Sequence, residues 1–97
     1  MPLTKKDINS IKNYFADKPV LKAYLFGSYA RNESNEESDV DILVDLDYNQ
    51  HIGLNFIRYH LDLQNLLKKK VDLVSSKGVS PRIKSFIDRD KQLIYEK

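Results

Sequence analysis

The sequence predicts an α/β or α+β fold in which helices cover a sheet of three to four strands. Short apolar runs rich in β-branched and aromatic residues alternate with longer segments whose apolar residues recur at helical spacing. The chain has 97 residues, 41% of them hydrophobic and 31% charged, which suits one globular core and leaves no room for a second. We therefore expect residues 1–97 to form a single domain.

The first two elements are a helix and a strand. Thr4 and Asp7 stand three residues apart and predict a capping box that opens an amphipathic helix. Pro19 should end this helix at about Lys18. The mostly apolar run Val20–Phe26 then predicts a strand that is buried on both faces.

The next elements are a strand and a long helix. Residues 40–44 predict a strand whose successive side chains point to opposite faces of the sheet. Its apolar face carries Val40, Ile42 and Val44. Its other face carries Asp39, Asp41, Leu43 and Asp45. Apolar residues at helical spacing over residues 52–67 predict a helix that packs on the sheet.

The last elements follow in the same alternation. Residues 71–74, with the sequence Val-Asp-Leu-Val, predict a third strand. Ser80 before Pro81 is typical of a helix start, so we expect a helix through residues 83–87. Residues 93–95 are apolar enough to form a last short strand.

Charge is divided unevenly between the two halves of the chain. Residues 1–50 contain six basic and nine acidic side chains, and residues 51–97 contain ten and five, so the halves carry about −3 and +5. The basic half includes the run Lys68-Lys69-Lys70. This run is either a solvated surface or a contact for nucleotide phosphates, nucleic acid or an acidic partner.

Composition also limits the class of protein. The chain contains no cysteine, which excludes disulfides, thiolate metal sites and a cysteine nucleophile. We expect neither an export leader nor a membrane span, because the apolar runs are short. A cytoplasmic protein is the expected class.

Two short motifs carry the chemistry. The run Gly27-Ser28-Tyr29-Ala30-Arg31 is followed six residues later by Ser38-Asp39-Val40-Asp41-Ile42. A glycine lets the backbone turn sharply and approach phosphate groups closely, and a short helix after it would direct its positive end at them. Asp39 and Asp41 lie two residues apart on a strand, so their carboxylates point the same way. Asp72 could join them from a neighbouring strand, and carboxylates are suitable ligands for Mg²⁺.

The joint pattern G-S-x-A-R-x6-S-D-x-D-I, with Asp72 downstream, resembles the signature of the polymerase-β-like nucleotidyltransferases, in particular the minimal (MNT) subfamily. The resemblance implies a mixed sheet with the carboxylates on adjacent strands. It implies that Asp39, Asp41 and Asp72 are catalytic and bind two Mg²⁺ ions, with Mn²⁺ as an alternative. It further implies that Gly27, Ser28, Arg31 and Ser38 bind the nucleotide, with ATP as the donor.

The same resemblance implies a partner. MNT proteins are typically paired with a HEPN-type toxin, so we expect an antitoxin that adenylylates a tyrosine of the toxin, binds it tightly, or does both. Two alternatives stay open: a catalytically weak antitoxin that acts by binding alone, and a nucleotidyltransferase for small molecules or RNA that is completed by another subunit or by a homodimer. Direct nucleic-acid binding is the less favoured interpretation of the basic half.

Several other polar residues have ordinary explanations. We expect His51 and His60 to be surface or packing residues and Asp62 to be an exposed helix position. Asn32 stands where such proteins often have glycine, and it tolerates a left-handed backbone. The acidic loop residues Glu33, Glu36 and Glu37 lie beside a site that has to accept a triphosphate.

Overall fold

The computed structural model describes residues 3–35 and 37–97, so Glu36 of the acidic loop lies outside the described residues. The elements in these residues are α1 (Lys5–Phe15), β1 (Val20–Phe26), β2 (Val40–Leu46), α2 (Asn55–Leu67), β3 (Val71–Ser75), α3 (Pro81–Asp90) and β4 (Gln92–Glu96). Within the two described ranges, no helix is long and apolar enough to cross a membrane.

The four strands form one mixed sheet in the order β3-β2-β1-β4. β1 pairs antiparallel with both β2 and β4, and β2 pairs parallel with β3. A parallel pair needs a crossover connection, and α2 supplies it. The expectation of a mixed sheet with the carboxylate-bearing strands side by side is confirmed.

The main core lies between one face of the sheet and the helices α1 and α2. Its largest fully buried side chains come from α1, α2 and the apolar faces of β1 and β2: Ile11, Phe15, Val20, Val40, Ile42, Val44 and Leu63. Full burial of such a side chain is worth about 1.5–3 kcal/mol. The core therefore fixes which side of β2 faces the helices, and the aspartates of β2 point to the other side.

That other face of the sheet is only partly covered. α3 lies beside it, and Leu43 and Ile87 line one cavity between α3 and the sheet. The prediction that β1 is buried on both faces is wrong, because Leu21 is 42% exposed and Tyr24 is only half-buried. The face that carries the aspartates is thus open to an approaching molecule.

Element boundaries differ from the predictions at turns. α1 ends at Phe15 rather than at about residue 18, since residues 16–19 form a turn before β1. α2 begins at Asn55 rather than at residue 52, because Gly53 adopts a positive φ of 48° and breaks the helical path.

The predicted helix starts are confirmed in detail. Thr4 Oγ1 accepts a hydrogen bond from Asp7 N at 3.0 Å, and Thr4 N donates to Asp7 Oδ2 at 3.2 Å. Ser80 caps α3 by accepting from the backbone of Ile83, and Pro81 is the first residue of that helix. The local sequence was sufficient to predict these two helix starts, because each capping hydrogen bond joins residues only three positions apart.

Two polar residues of α2 serve the packing of the domain. The prediction that Asp62 is a solvated helix position is wrong, because its carboxylate accepts a hydrogen bond from the Tyr14 hydroxyl of α1 at 2.6 Å. Burial and this hydrogen bond raise the pKa of Tyr14 above its usual range. His60 is half-buried and hydrogen-bonds through Nε2 to the carbonyl of Val71, so its interpretation as a packing residue is confirmed.

We expect Tyr14→Phe to lower the free energy of unfolding by about 1–2 kcal/mol, because it leaves a half-buried carboxylate without its donor. Urea denaturation at pH 7 would measure the change. Tyr48→Phe is the matched control, since Tyr48 is 47% exposed. Equal effects of the two substitutions would contradict a structural role for the contact between Tyr14 and Asp62.

Candidate active site

The pairing of β2 with β3 brings two of the predicted carboxylates together. Asp41 lies directly opposite Asp72 in the parallel register, and neighbouring strands are about 4.7–4.9 Å apart. Asp39 precedes Asp41 by two residues at the start of β2. Asp39 and Asp72 are exposed and Asp41 is half-buried, so the three residues form an acidic edge on the open face of the sheet.

The proximity of these carboxylates changes the protonation of Asp41. Burial, followed by the charges of Asp72 and Asp39, raises the pKa of Asp41 to about 6, and Arg31 partly opposes this shift. The carboxylates therefore interact electrostatically, and any cation bound among them would relieve their repulsion.

The donor set suits Mg²⁺, which prefers carboxylate oxygens and commonly binds one or two of them together with water and substrate phosphates. In the conformation that the structure describes for residues 3–35 and 37–97, no three acidic, histidine or cysteine side chains already converge on one point. Asp41 and Asp72 would form the centre of such a site.

Gly27 shapes the space in front of Asp41. It has a φ of +75°, which side-chain-bearing residues rarely adopt. A Cβ placed at this position would collide with Asp41 Oδ2 and come within 3.1 Å of Asp41 Cγ. The glycine thus allows both the sharp exit from β1 and the close approach of the backbone to a carboxylate.

The segment after Gly27 is a turn rather than the short helix that we expected. It contains one hydrogen bond of the α-helical type, from Arg31 N to Gly27 O at 3.1 Å, and one of the 3₁₀ type, from Asn32 N to Tyr29 O at 3.3 Å. The chain leaves the helical path at Asn32, whose φ is +59°. Tyr29 and Ala30 are buried in the main core. Their burial fixes the turn, so the helix-terminus argument for phosphate binding does not apply here.

Arg31 is engaged away from the carboxylates. Its Nε donates to Glu33 Oε2 at 3.0 Å and one terminal nitrogen donates to Asp90 Oδ2 at 2.8 Å. These two hydrogen bonds raise its pKa further. Arg31 therefore ties the turn to the end of α3. A role in phosphate binding would require it to leave both partners.

The remaining predicted nucleotide-binding residues surround this turn. Ser28 is half-buried, and its carbonyl accepts a hydrogen bond from Glu33 N at 2.8 Å. Ser38 accepts a hydrogen bond from Asn35 N at 2.9 Å through Oγ, a local contact just before β2. Both residues lie near the carboxylates in the fold, although neither directs a described hydrogen bond toward them.

Two supports of the site were not predicted. Asp90 holds Arg31 across 59 residues of sequence, and Gln92 of β4 donates through Nε2 to the carbonyl of Ala30 at 2.8 Å. No local pattern marks either residue. The apolar pair Tyr29-Ala30 inside a glycine turn was the signal that could have indicated a buried turn.

Comparison with known proteins agrees with this arrangement. Residues 9–97 match the protein family described as polymerase beta, nucleotidyltransferase. A protein of Methanocaldococcus jannaschii named putative protein adenylyltransferase is 40% identical, and the match covers 94% of this chain and 92% of that protein.

Solved structures share the fold. A structure described as a putative minimal nucleotidyltransferase superposes with a TM-score of 0.78 at 31% identity, over 91% of this chain and 89% of the other. A toxin-antitoxin structure with AMP-PNP gives 0.77 at 22% identity, over 98% and 75%. A complex of a tri-AMPylated Shewanella oneidensis HEPN toxin with an MNT antitoxin gives 0.70 at 19% identity, over 98% and 74%. At their identities, the last two likenesses show the fold alone.

We expect Gly27→Ala to lower the free energy of unfolding by about 2 kcal/mol or more, because it combines a left-handed backbone with a collision at Asp41. Gly78→Ala is the control. Gly78 has no positive φ, and its added Cβ would meet the side-chain oxygen of Ser75 at 2.9 Å and the backbone oxygen of Ser75 at 3.7 Å, the latter an ordinary contact distance. Chemical denaturation of the two variants would distinguish the positions, and a loss at Gly78 as large as at Gly27 would contradict the steric argument.

We expect Asp41→Asn to raise the melting temperature of the metal-free protein at pH 8. A carboxyl whose pKa is raised on folding contributes stability below its unfolded value near 3.8 and loses that contribution as the pH rises through about 6. The gain should therefore fade between pH 8 and pH 4. Thermal denaturation across this range would test it.

Asp45→Asn is the matched control, because Asp45 lies on the same strand but lines a different cavity, together with Lys91 and Asp88, which form an ion pair with each other. Mg²⁺ should raise the melting temperature of the unaltered chain and of this control more than that of Asp41→Asn. If the melting temperatures of Asp41→Asn and of the unaltered chain differed by the same amount at every pH, the raised pKa of Asp41 would be contradicted.

Proposed function

Because this chain belongs to the polymerase beta nucleotidyltransferase family, we propose that it transfers AMP from ATP to a hydroxyl group of a partner protein. The acceptor is a tyrosine of a HEPN-type toxin, and the modification neutralises that toxin. Two findings support this proposal: the name of the relative described as a putative protein adenylyltransferase, and the fold that this chain shares with a structure of an MNT antitoxin in complex with a tri-AMPylated HEPN toxin.

The observation that carries the proposal is the position of Asp41 beside Asp72 on an open sheet face, next to the turn at Gly27. Nucleotidyl transfer requires a group that binds phosphate and a pair of carboxylates, and we assign these roles to the turn at Gly27 and to Asp41 with Asp72. They lie next to each other here because Phe26, which immediately precedes Gly27, pairs with Asp41.

The residues that would hold the metal are Asp39, Asp41 and Asp72. Two bound Mg²⁺ ions would neutralise the charge that develops on the attacking and leaving oxygens during transfer. The raised pKa of Asp41, about 6, leaves this carboxylate mostly ionised at neutral pH and available for a cation.

The transfer itself is a displacement at the α-phosphorus of ATP. The acceptor oxygen forms a bond to this phosphorus, the bond from the α-phosphorus to the oxygen that bridges to the β-phosphorus breaks, and pyrophosphate leaves. Asp72 lies on the neighbouring strand, away from the Gly27 turn, and is exposed. We assign to it the removal of the proton from the acceptor hydroxyl.

The acceptor is expected to come from another polypeptide. The described residues form one sheet with helices, and the face that carries the carboxylates is covered only at one side, by α3. An exposed segment of a partner can therefore reach Asp72 directly.

We expect Asp41→Asn to reduce transfer at least 100-fold, since it removes the central cation ligand. The assay incubates the chain with Mg²⁺, ATP labelled at the α-phosphate and the product of the neighbouring gene, and follows AMP on that protein by label and intact mass. Asp45→Asn should retain transfer. Replacing the modified tyrosine of the partner by phenylalanine should abolish it.

Other outcomes would replace the proposal. Neutralisation of the toxin by Asp41→Asn to the same extent as by the unaltered chain would indicate an antitoxin that acts by binding alone. Label on RNA or on a small molecule, with none on the partner protein, would indicate a different acceptor class.

A further inference from the structure

The candidate site has a shortage of positive charge. Residues 27–41 contain one basic and five acidic side chains, and the basic one, Arg31, is held by Glu33 and Asp90. A nucleoside triphosphate carries several negative charges at neutral pH. Bound cations would neutralise part of this negative charge. Cationic side chains from other parts of the fold have to neutralise the rest.

A second cavity beside the carboxylates meets this need. It has a volume of about 400 Å³. The run Lys68–Lys70 lines it together with Tyr29, Asn35, Glu37, Ser38 and Asp39. A cavity of this size is in the range of small-molecule sites. Asp39 belongs to both this cavity and the acidic edge, so a ligand here would touch the candidate active site.

The backbone places these lysines there. β2 and β3 are parallel and start at the same edge of the sheet, and Val40 N donates to the carbonyl of Lys70 at 2.9 Å. The lysine turn before β3 consequently lies beside the entry of β2, where Ser38 and Asp39 stand.

The three lysines are available for a ligand. None of them forms an ion pair with any of the described residues. Lys69 is half-buried, and Lys68 and Lys70 are exposed. The cavity lining thus holds three ammonium groups and the two carboxylates of Glu37 and Asp39, and neither carboxylate forms an ion pair with these lysines.

Lys68 also occupies an unfavourable backbone conformation. It ends α2 with φ 55° and ψ 38°, a left-handed position at which glycine is the usual residue. A lysine here costs stability relative to glycine, and such costs cluster at functional positions. A functional requirement for the positive charge of Lys68 would account for a lysine rather than a glycine at this position.

We propose that the cavity lined by Lys68, Lys69 and Lys70 binds the β- and γ-phosphates of the nucleoside triphosphate. This inference rests on the proposed function, because it takes ATP as the donor. The lysines bind the phosphates that leave as pyrophosphate, while Asp39 and Asp41 stand at the α-phosphate. Nucleotide recognition is then divided between the Gly27 turn and the turn before β3.

The test uses the variant Lys68→Gly/Lys69→Gln/Lys70→Gln and measures equilibrium binding of ATP, ADP and AMP by calorimetry in the presence of Mg²⁺. Loss of three partly solvated phosphate contacts should raise the Kd for ATP about tenfold, should raise that for ADP less, and should leave that for AMP unchanged. Inorganic tripolyphosphate should show the same loss as ATP.

The control variant is Lys5→Gln/Lys6→Gln/Lys12→Gln, which removes the same net charge from α1 and should keep the Kd for ATP. Thermal denaturation separates folding from binding, because glycine at position 68 relieves the left-handed strain and the first variant should melt no lower than the unaltered chain. A weaker Kd with unchanged or higher stability supports the lysine cavity.

Several results would overturn this inference: equal Kd values for ATP in the lysine variant and the unaltered chain, an equal loss for AMP and ATP, or no binding of ATP and tripolyphosphate by the unaltered chain. Loss of partner binding without loss of ATP binding would assign the lysines to an acidic protein surface and would also overturn it. The measurement needs no acceptor. Absence of transfer with intact lysine-dependent ATP binding would therefore contradict only the proposed function.

Discussion

The parallel pairing of β2 with β3 is the constraint on which the site depends. It sets Asp41 opposite Asp72, an arrangement that repels itself as soon as both carboxyls ionise. The same two strands bury Val40, Ile42 and Val44 on their other side, together with Val71 and Leu73. Burial of these side chains is worth about 1.5–3 kcal/mol each, while solvent screening weakens the repulsion between partly exposed carboxylates. Burial of the apolar face can therefore keep Asp41 and Asp72 side by side in spite of their repulsion. A cation bound between them would relieve that repulsion.

The turn at Gly27 is fixed by contacts on three sides. Tyr29 and Ala30 enter the main core, Gln92 of β4 binds the carbonyl of Ala30, and Arg31 joins the turn to Asp90 at the end of α3. Each contact comes from a different element. A rigid turn suits the positioning of phosphates, because less conformational entropy is lost when the ligand binds. Arg31 acts in this arrangement as a structural support, because both of its ion pairs hold the turn in place.

Much of the fold followed from local signals in the sequence. The caps at Thr4 and Ser80 were predictable because their partners lie three residues away. The two faces of β2 were predictable because successive strand residues point in opposite directions. The pattern around Gly27 and Asp39 indicated which residues should meet. The open side of β1 was missed, since an apolar run does not reveal how many layers cover it.

The partners of Arg31 and Asp62 could not be predicted for a different reason. Their contacts span 59 and 48 residues of sequence, so they depend on the packing of α3 and α1 rather than on any local preference. The expected helix after Gly27 failed similarly. The burial of Tyr29 and Ala30 in the core favours a turn, and this tertiary effect outweighs the helical preference of a short segment.

The surroundings of the run Lys68–Lys70 could not be predicted from the sequence alone, but they follow from the strand topology. On the sequence alone, three lysines before β3 could be a solvated surface. Once β3 is known to run parallel to β2, the residues before each strand must lie at the same edge of the sheet. The residues before β2 include Ser38 and Asp39, so a charge run at this point is brought to the candidate site by the crossover itself. The acidic half and the basic half of the sequence thus contribute side chains to one cavity, which Glu37 and Asp39 line together with the three lysines.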